Sequence, residues 1–360
     1  MGDVKSEFDR LLEMIANADQ ALVQILDDRA QAVVALQSLA KQQPEAYFRA
    51  PSDREVIERG LRELRHFPSA AFRAVMTEVL SGSHALVAPL EIAYLGQPGG
   101  FGHLAARRQF GASAKLRPME DAAALLAEIE SGRCTFGLLP FESSSDGAVT
   151  ATLNALARYE TKISAEIWLN RSFDLLSTTG ESASIHRVYG SSVALQDCAK
   201  FLAHKYREVE TIDVRSGVVA AKKAEEDPQG AAIATEVVSE MTGLKPVEQH
   251  VEDASDLRIR FVVVGHDYPA RTGQDRTALA VALQDSHDGM ASCLQPFAER
   301  GIGMHRLETR PARGWEFRFL MLLEIDGHVT DRSVLAAIGD LRASGAYVRI
   351  LGSFPRVDET

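Results

Sequence analysis

The strongest constraint on this chain is a change of periodicity about a quarter of the way along it. Apolar residues at Phe8, Leu12, Ile15, Leu22, Leu26, Val33, Leu36 and Ala40 recur in steps of three, four or seven. That spacing predicts one long helix over 6–43 carrying a coiled-coil-like seam. At 1.5 Å per residue such a helix runs about 55 Å. This exceeds what a compact domain needs, so the seam is expected to pack against another chain. Pro44 and Pro51 bracket a break. Helices are predicted at 52–65 and 69–87, the first opened by Ser52 with Glu55 three residues later, a capping-box pattern.

From Pro89 the texture changes to short apolar strands alternating with helices. Strands are expected at 90–96, 136–140, 163–169 and 261–265, with helices near 102–110, 148–159, 193–205 and 216–225. Alternation of this kind argues for α/β with largely parallel sheets, and for two lobes with a cleft between them. Residues 267–275 are polar and turn-rich, as a linker would be. The remainder reads strand 277–284, helix 290–299, strands 302–309 and 316–324, helix 330–343, strand 346–351, a βαββαβ unit. The expected class is therefore α, then α/β, then α+β, with domains at 1–88, 89–266 and 276–358.

Composition narrows the partners. The net charge of −11 would be repelled by a phosphate backbone, so no nucleic-acid partner is expected. The polar start and the lack of a run of about 18 apolar residues point to a cytoplasmic protein without a membrane span. The three cysteines, Cys134, Cys198 and Cys293, fit neither a disulfide framework nor a zinc site. They are expected to be buried small hydrophobes. Neither a metal nor a cofactor is expected. The glycines at 96, 99, 100 and 102 precede a helix, but their spacing is not that of a dinucleotide fingerprint or a P-loop.

Six local motifs appear in order. They are Tyr94-Leu-Gly-Gln-Pro-Gly-Gly-Phe101, Gly137-Leu-Leu-Pro-Phe-Glu-Ser-Ser-Ser-Asp-Gly147, Ala231-Ala-Ile-Ala234, Glu252-Asp253 with Arg260-Phe261, Leu307-Glu-Thr-Arg-Pro311 and Leu351-Gly-Ser-Phe-Pro-Arg356. Together they resemble the bifunctional chorismate mutase–prephenate dehydratase family. The resemblance implies a helical mutase segment, a two-lobed dehydratase domain and a ligand-sensing ACT domain. It assigns Arg29, Arg54, Glu55 and Ser83 to the mutase site, Glu142, Ser144 and Arg260 to the dehydratase site, and Gly289, Glu308, Thr309 and Arg310 to the sensing site. Arg29 lies on the apolar seam, where a guanidinium demands an anionic partner. A substrate carboxylate would serve, and so would Glu55 or Glu78. For Arg260 the structural alternatives are Asp253 and Asp256, and for Glu142 a cap on the helix after Gly147.

The departures from the family pattern bear on function. Two cationic positions of the mutase site are Leu12 and Ala40, and a glutamine position is Val87. Lys41, one residue beyond Ala40, is rotated by about 100° and is expected to point away. In the dehydratase site Ile259 stands at the threonine position and Leu257 at an asparagine position, with Ser143 for a second asparagine. The other polar motifs read Gly100-Phe101-Gly102, Ser191-Ser192-Val193 and Ser216-Gly217-Val218. In the tail, Gly303 stands where the family has an asparagine. Prephenate dehydration needs an acid to protonate the departing hydroxyl, and isoleucine has no proton to give. The pattern therefore points to a non-catalytic or repurposed member. It would bind a small aromatic or cyclohexadiene carboxylate and form a homodimer or dimer of dimers. The rivals are an enzyme acting on a prephenate-related acid and a weak but genuine bifunctional enzyme.

Overall fold

The computed structural model describes residues 2–42, 53–283, 289–311 and 319–357. Helix α1 (Gly2–Gln42) is unbroken, as the seam predicts. Helices α2 (Asp53–Glu63) and α3 (Ser69–Val87) follow; the capping residue expected at Ser52 lies outside the described residues. The ring of Phe72 sits directly on Gly60, where a Cβ would lie 2.3 Å from it. Glu78 of α3 accepts the Ala112 N–H at 3.0 Å, and Ser81 accepts that of Ser113 at 3.1 Å. These belong to one compact unit, Met1–Leu90 with Arg107–Lys115. Within it Phe8, Leu12, Ile15 and Leu22 of the seam remain exposed.

The second unit, Glu91–Ala106 with Leu116–Thr360, holds the strands. Its elements begin β1 (Glu91–Leu95), α4 (Phe101–Phe110, assigned to this unit up to Ala106), β2 (Lys115–Met119, from Leu116), α5 (Ala122–Glu130), β3 (Phe136–Ser143), β4 (Gly147–Ala148), α6 (Thr150–Leu156) and β5 (Lys162–Asn170). A second group follows: β6 (Asp174–Ser177), β7 (Arg187–Gly190), α7 (Ser192–Asp197), α8 (Ala199–Lys205), β8 (Glu210–Asp213), α9 (Gly217–Glu226), β9 (Gly230–Ala234), α10 (Glu236–Thr242) and β10 (Lys245–Glu248). The chain returns through β11 (Arg258–Gly265). It ends with β12 (Asp275–Leu283), α11 (Gly289–Ala298), β13 (Met304–Pro311), β14 (Phe319–Asp326), α12 (Arg332–Ala343) and β15 (Tyr347–Pro355).

Among the described residues there are two sheets. The larger runs β13-β14-β12-β15-β5-β11-β3-β1-β2, with β4 on β3; the smaller runs β10-β6-β9-β7-β8. They form two lobes joined by the chain from β5 to β6 and from β10 to β11. The expectation of largely parallel sheets fails here. β1–β3, β15–β5, β7–β8 and β7–β9 are parallel, whereas β11 is antiparallel to both β3 and β5. The cause is topological: the chain leaves the first lobe on β5 and comes back on β11, in the opposite sense. The helix expected over 193–205 is two helices, divided at Cys198. β2 and α5 were not anticipated.

The turn-rich stretch before β12 is pinned rather than loose. Asp275 accepts the N–H groups of Thr272 and Gly273, both at 2.9 Å, and Pro269 O lies 3.1 Å from His328 Nε2. The C-terminal strands also share a core with the first lobe. Ala278, Ala280, Ala282, Leu320, Leu322 and Leu351 pack in one cluster with Leu139, Phe141, Leu153 and Val262. Their opposite face, with Leu279, Val281, Met321 and Leu323, packs on Cys293 and Phe297 of α11 and on Val334, Ile338 and Leu341 of α12. The period-two alternation of each strand thus feeds two cores. All three cysteines are buried.

Candidate functional site

In the helical unit, Arg29 of α1 reaches the Ser83 hydroxyl of α3, which in turn donates to the Val79 carbonyl at 2.6 Å. Neither Glu55 nor Glu78 is the partner shown for Arg29: Glu78 is occupied by the Ala112 N–H. Next to Ser83, His84 lies 2.8 Å from Asp53, and that hydrogen bond raises its pKa. Arg54 and Glu55 sit in the first turn of α2 and are both engaged by other groups. A cavity of about 210 Å³ opens nearby, lined by Val34, Gln37, Ser38, Lys41, Leu86 and Val87. Positions 34, 37, 38 and 41 form one helical stripe, and it is this stripe that meets the end of α3. Lys41 lines this cavity, and Arg29 is not among its walls. The side chain of Ala40 lies outside the described residues.

In the second unit the loop between β1 and α4 is held against the second lobe. Gly99 takes a φ of +77°, and a Cβ there would lie 2.7 Å from both Val218 and Val238. Its N–H donates to His103 Nδ1 at 3.0 Å, and its carbonyl accepts from Thr235 Oγ1 at 2.6 Å. Phe101 meets Phe173 edge-on, with ring centres 5.3 Å apart. A Cβ on Gly102 would lie 2.2 Å from the Leu95 carbonyl oxygen, so this backbone has no room for a serine there. Ser191 and Ser216 cap α7 and α9, accepting from Ala194 and Val219. On the far wall, Ser143 lies 2.8 Å from Ser145 across a tight turn, and Ile259 pairs in register with Ser143.

The residues assigned to dehydration are engaged elsewhere. Ser144 accepts the Arg258 N–H at 2.8 Å and donates its own N–H to the Arg258 carbonyl at 2.9 Å, fixing the β3–β11 register. Arg260 is 1% exposed. Its Nε donates to Glu166 at 2.8 Å, and its two terminal nitrogens donate to Glu324 at 2.8 and 2.9 Å. Burial works against this charge, but Glu324 and then Glu166 more than offset it, and the pKa lies above the ordinary guanidinium value. The partners expected from the sequence were Asp253 and Asp256. Asp253 instead caps α8, accepting the N–H groups of Lys200 and Phe201 at 2.8 and 2.9 Å.

Glu142 does not cap the helix after Gly147. It is held by Arg306 of β13 and lies 3.5 Å from Arg260. Sequence reading missed Glu166, Glu324 and Arg306. The sequence signal for Glu324 is a charged residue inside an otherwise apolar strand, Phe319-Leu-Met-Leu-Leu-Glu324; Arg306 lies in a strand rich in charge and carries no such signal. In the tail, Glu308 lies between Arg306, at 3.4 Å, and Arg310, at 3.9 Å, while Thr309 is exposed. Gly289 opens α11. A Cβ on Gly303 would lie 2.2 Å from Asp326 Oδ2, so a side chain there would require the Asp326 carboxylate to shift.

Comparison with known proteins matches this arrangement. A profile of the prephenate dehydratase family covers residues 92–269. A bifunctional chorismate mutase/prephenate dehydratase from Neisseria gonorrhoeae is 30% identical over 346 residues, 95% of each chain. The chain belongs to the bifunctional chorismate mutase/prephenate dehydratase family. A relative of the same description from Stutzerimonas stutzeri is 29% identical over 98% of this chain and 99% of its own. Among solved structures, the prephenate dehydratase of Arthrobacter aurescens in complex with L-Phe is 28% identical. It superposes with a TM-score of 0.67 over 75% of this chain and 92% of its own. The family's fold is thus present over the strand-bearing part, and its sequence over nearly the whole chain.

Proposed function

We propose that this chain keeps the family scaffold without its dehydratase chemistry, as a non-catalytic or repurposed member binding a small aromatic or cyclohexadiene carboxylate. The observation that carries this reading is the engagement of the surviving polar groups. Glu142 is held by Arg306, Ser144 by the Arg258 backbone, and Arg260 by Glu166 and Glu324. None of the three is left as a free acid at the position where Ile259 replaces the family's hydroxyl. The helical unit supports a monoanionic ligand. Its cavity offers the Lys41 ammonium and apolar walls from Val34, Leu86 and Val87. Chorismate carries two carboxylates, and one of them would find no cation there. The second carboxylate would gain no ion pair there, so chorismate would bind no better than a monoanionic acid. The L-Phe complex of the Arthrobacter relative supports an aromatic acid as the ligand class. In this reading Glu308, Thr309, Arg310 and Gly289 belong to an ACT-like domain at 276–358, after a mutase-like domain at 1–88 and a dehydratase-like domain at 89–266, in a cytoplasmic protein.

A thermal-shift series tests the ligand class. L-phenylalanine or phenylpyruvate should raise the melting temperature, by the equivalent of about 2.7 kcal/mol at 100 times Kd, while chorismate and prephenate should not. Larger shifts from the two dianions would refute the reading.

The exposed seam of α1, with Phe8 59%, Ile15 59% and Leu22 52% exposed, supports a homodimer or dimer of dimers. Apolar surface of that extent is unfavourable in water unless a second copy covers it. Light scattering at micromolar concentration should report at least twice the chain mass of 39.2 kDa; a single species at that mass would remove the assembly from the proposal.

A further inference from the structure

Two of the contacts above span distances that a flat sheet would forbid. Arg306 on β13 and Glu142 on β3 are six strand positions apart in the larger sheet, and Glu324 on β14 and Arg260 on β11 are four apart. At about 4.8 Å per strand these separations would be roughly 29 and 19 Å. Yet Arg306 Nη1 reaches Glu142 Oε2 directly, and Arg260 Nη1 lies 2.8 Å from Glu324. The sheet therefore curls until its edge strand β13 returns over β3. The cluster of Ala278, Leu320, Phe141 and Val262 fills the inside of the curl.

The ionic groups line up where the curl closes. The Arg260 guanidinium lies 5.0 Å from the Phe141 ring and 5.8 Å from that of Trp168, and the Arg306 guanidinium lies 5.2 Å from the Phe141 ring. Phe141 is 2% exposed, and both guanidiniums that approach its ring also approach Glu142 Oε2. Side-chain exposure is 2% for Arg260, 0% for Glu166 and 4% for Glu324, but 11% for Arg306 and 30% for Glu142. The inner part of the network is sealed. The outer pair stands at the rim, next to the Ser143–Ser145 turn of the cleft wall.

We infer that Arg306 and Glu142 form a clasp that makes the position of edge strand β13 and that of the cleft-wall turn at 143–148 depend on each other. Several features serve that coupling. β13 is an edge strand, held by β14 alone on its paired side. Arg306 is shared between Glu142 and Glu308, so a change at Glu308 or Arg310 alters the hold on Glu142. Glu142 pairs with Ala148 and Ser143 with Gly147, so the short β4 turn moves with the Glu142 backbone. Displacing β13 thus releases the turn, and opening the turn loosens β13.

The clasp requires no ligand and no turnover, so its test is separate from the functional reading. Backbone hydrogen exchange on the full-length protein should show the coupling in both directions. Arg306→Met is expected to speed exchange at 142–149 by at least tenfold, and Glu142→Gln to do the same at 304–310. Exchange at 230–234 in the second lobe should stay as in the parent. Arg306→Lys keeps the charge and should restore most of the protection at 142–149. Acceleration confined to the mutated strand in both variants would overturn the clasp. So would a general loss of protection in both, which would make the pair a plain stability element.

Discussion

Replacing Arg260 by methionine is expected to destabilise the strand-bearing unit by about 3–5 kcal/mol, the range found when one partner of a buried ion pair is removed. The reason is the state of what remains. Glu324 receives two hydrogen bonds from Arg260, and its side chain is only 4% exposed. Without the guanidinium it is a buried carboxylate with its principal counter-charge gone. Glu166 is better placed, because Arg276 lies 3.4 Å away and the Val357 N–H donates to it at 2.9 Å. The double change Arg260→Met with Glu324→Met removes one cation and one anion, and should recover most of the loss, since whole buried pairs can often be replaced by apolar groups of similar volume. Chemical denaturation of the single and double variants checks this. Equal destabilisation in both would mean that the packing of Arg260 against Phe141 and Trp168 matters more than its charge.

Much of this architecture was legible in the sequence, for identifiable reasons. The 3.6-residue period of the first quarter is a local signal, so α1 and α3 appear close to the ranges 6–43 and 69–87 expected for them. Alternation and turns likewise gave the expectation of a βαββαβ order for the C-terminal elements. Pairing partners were not legible. The antiparallel return of β11 depends on which way the chain re-enters the first lobe, and no local pattern records it. The same holds for the ionic network. Arg260 lies 94 residues from Glu166 and 64 from Glu324, whereas the sequence suggested only its neighbours Asp253 and Asp256.

The candidate site was legible mainly through its departures. Ile259, Leu257 and Gly102 stand where the resemblance to the family implies polar side chains, and the structure adds a physical reading of one of them. With a Cβ at Gly102 lying 2.2 Å from a backbone oxygen, a serine would require the Leu95–Gly102 backbone to move. The loss is therefore built into the loop as well as into the side chain. What could not be read is how the surviving Glu142, Ser144 and Arg260 are used, because each is taken up by a partner distant in the chain.

The central claim is that the cleft does not dehydrate prephenate. General acid catalysis contributes about 10²–10⁴ in rate; in the proposed reading the acid position is an isoleucine, and Glu142 is held by an arginine. The direct test is a stopped assay for phenylpyruvate, with prephenate in excess and the full-length protein at high concentration. A family enzyme run in parallel shows that the assay works, and spontaneous loss of prephenate is subtracted. The expected result is turnover at least a hundredfold below about 1 s⁻¹, the lower end of the ordinary enzyme range. Turnover at or above 1 s⁻¹ would contradict the account and show that another group in the cleft serves as the acid.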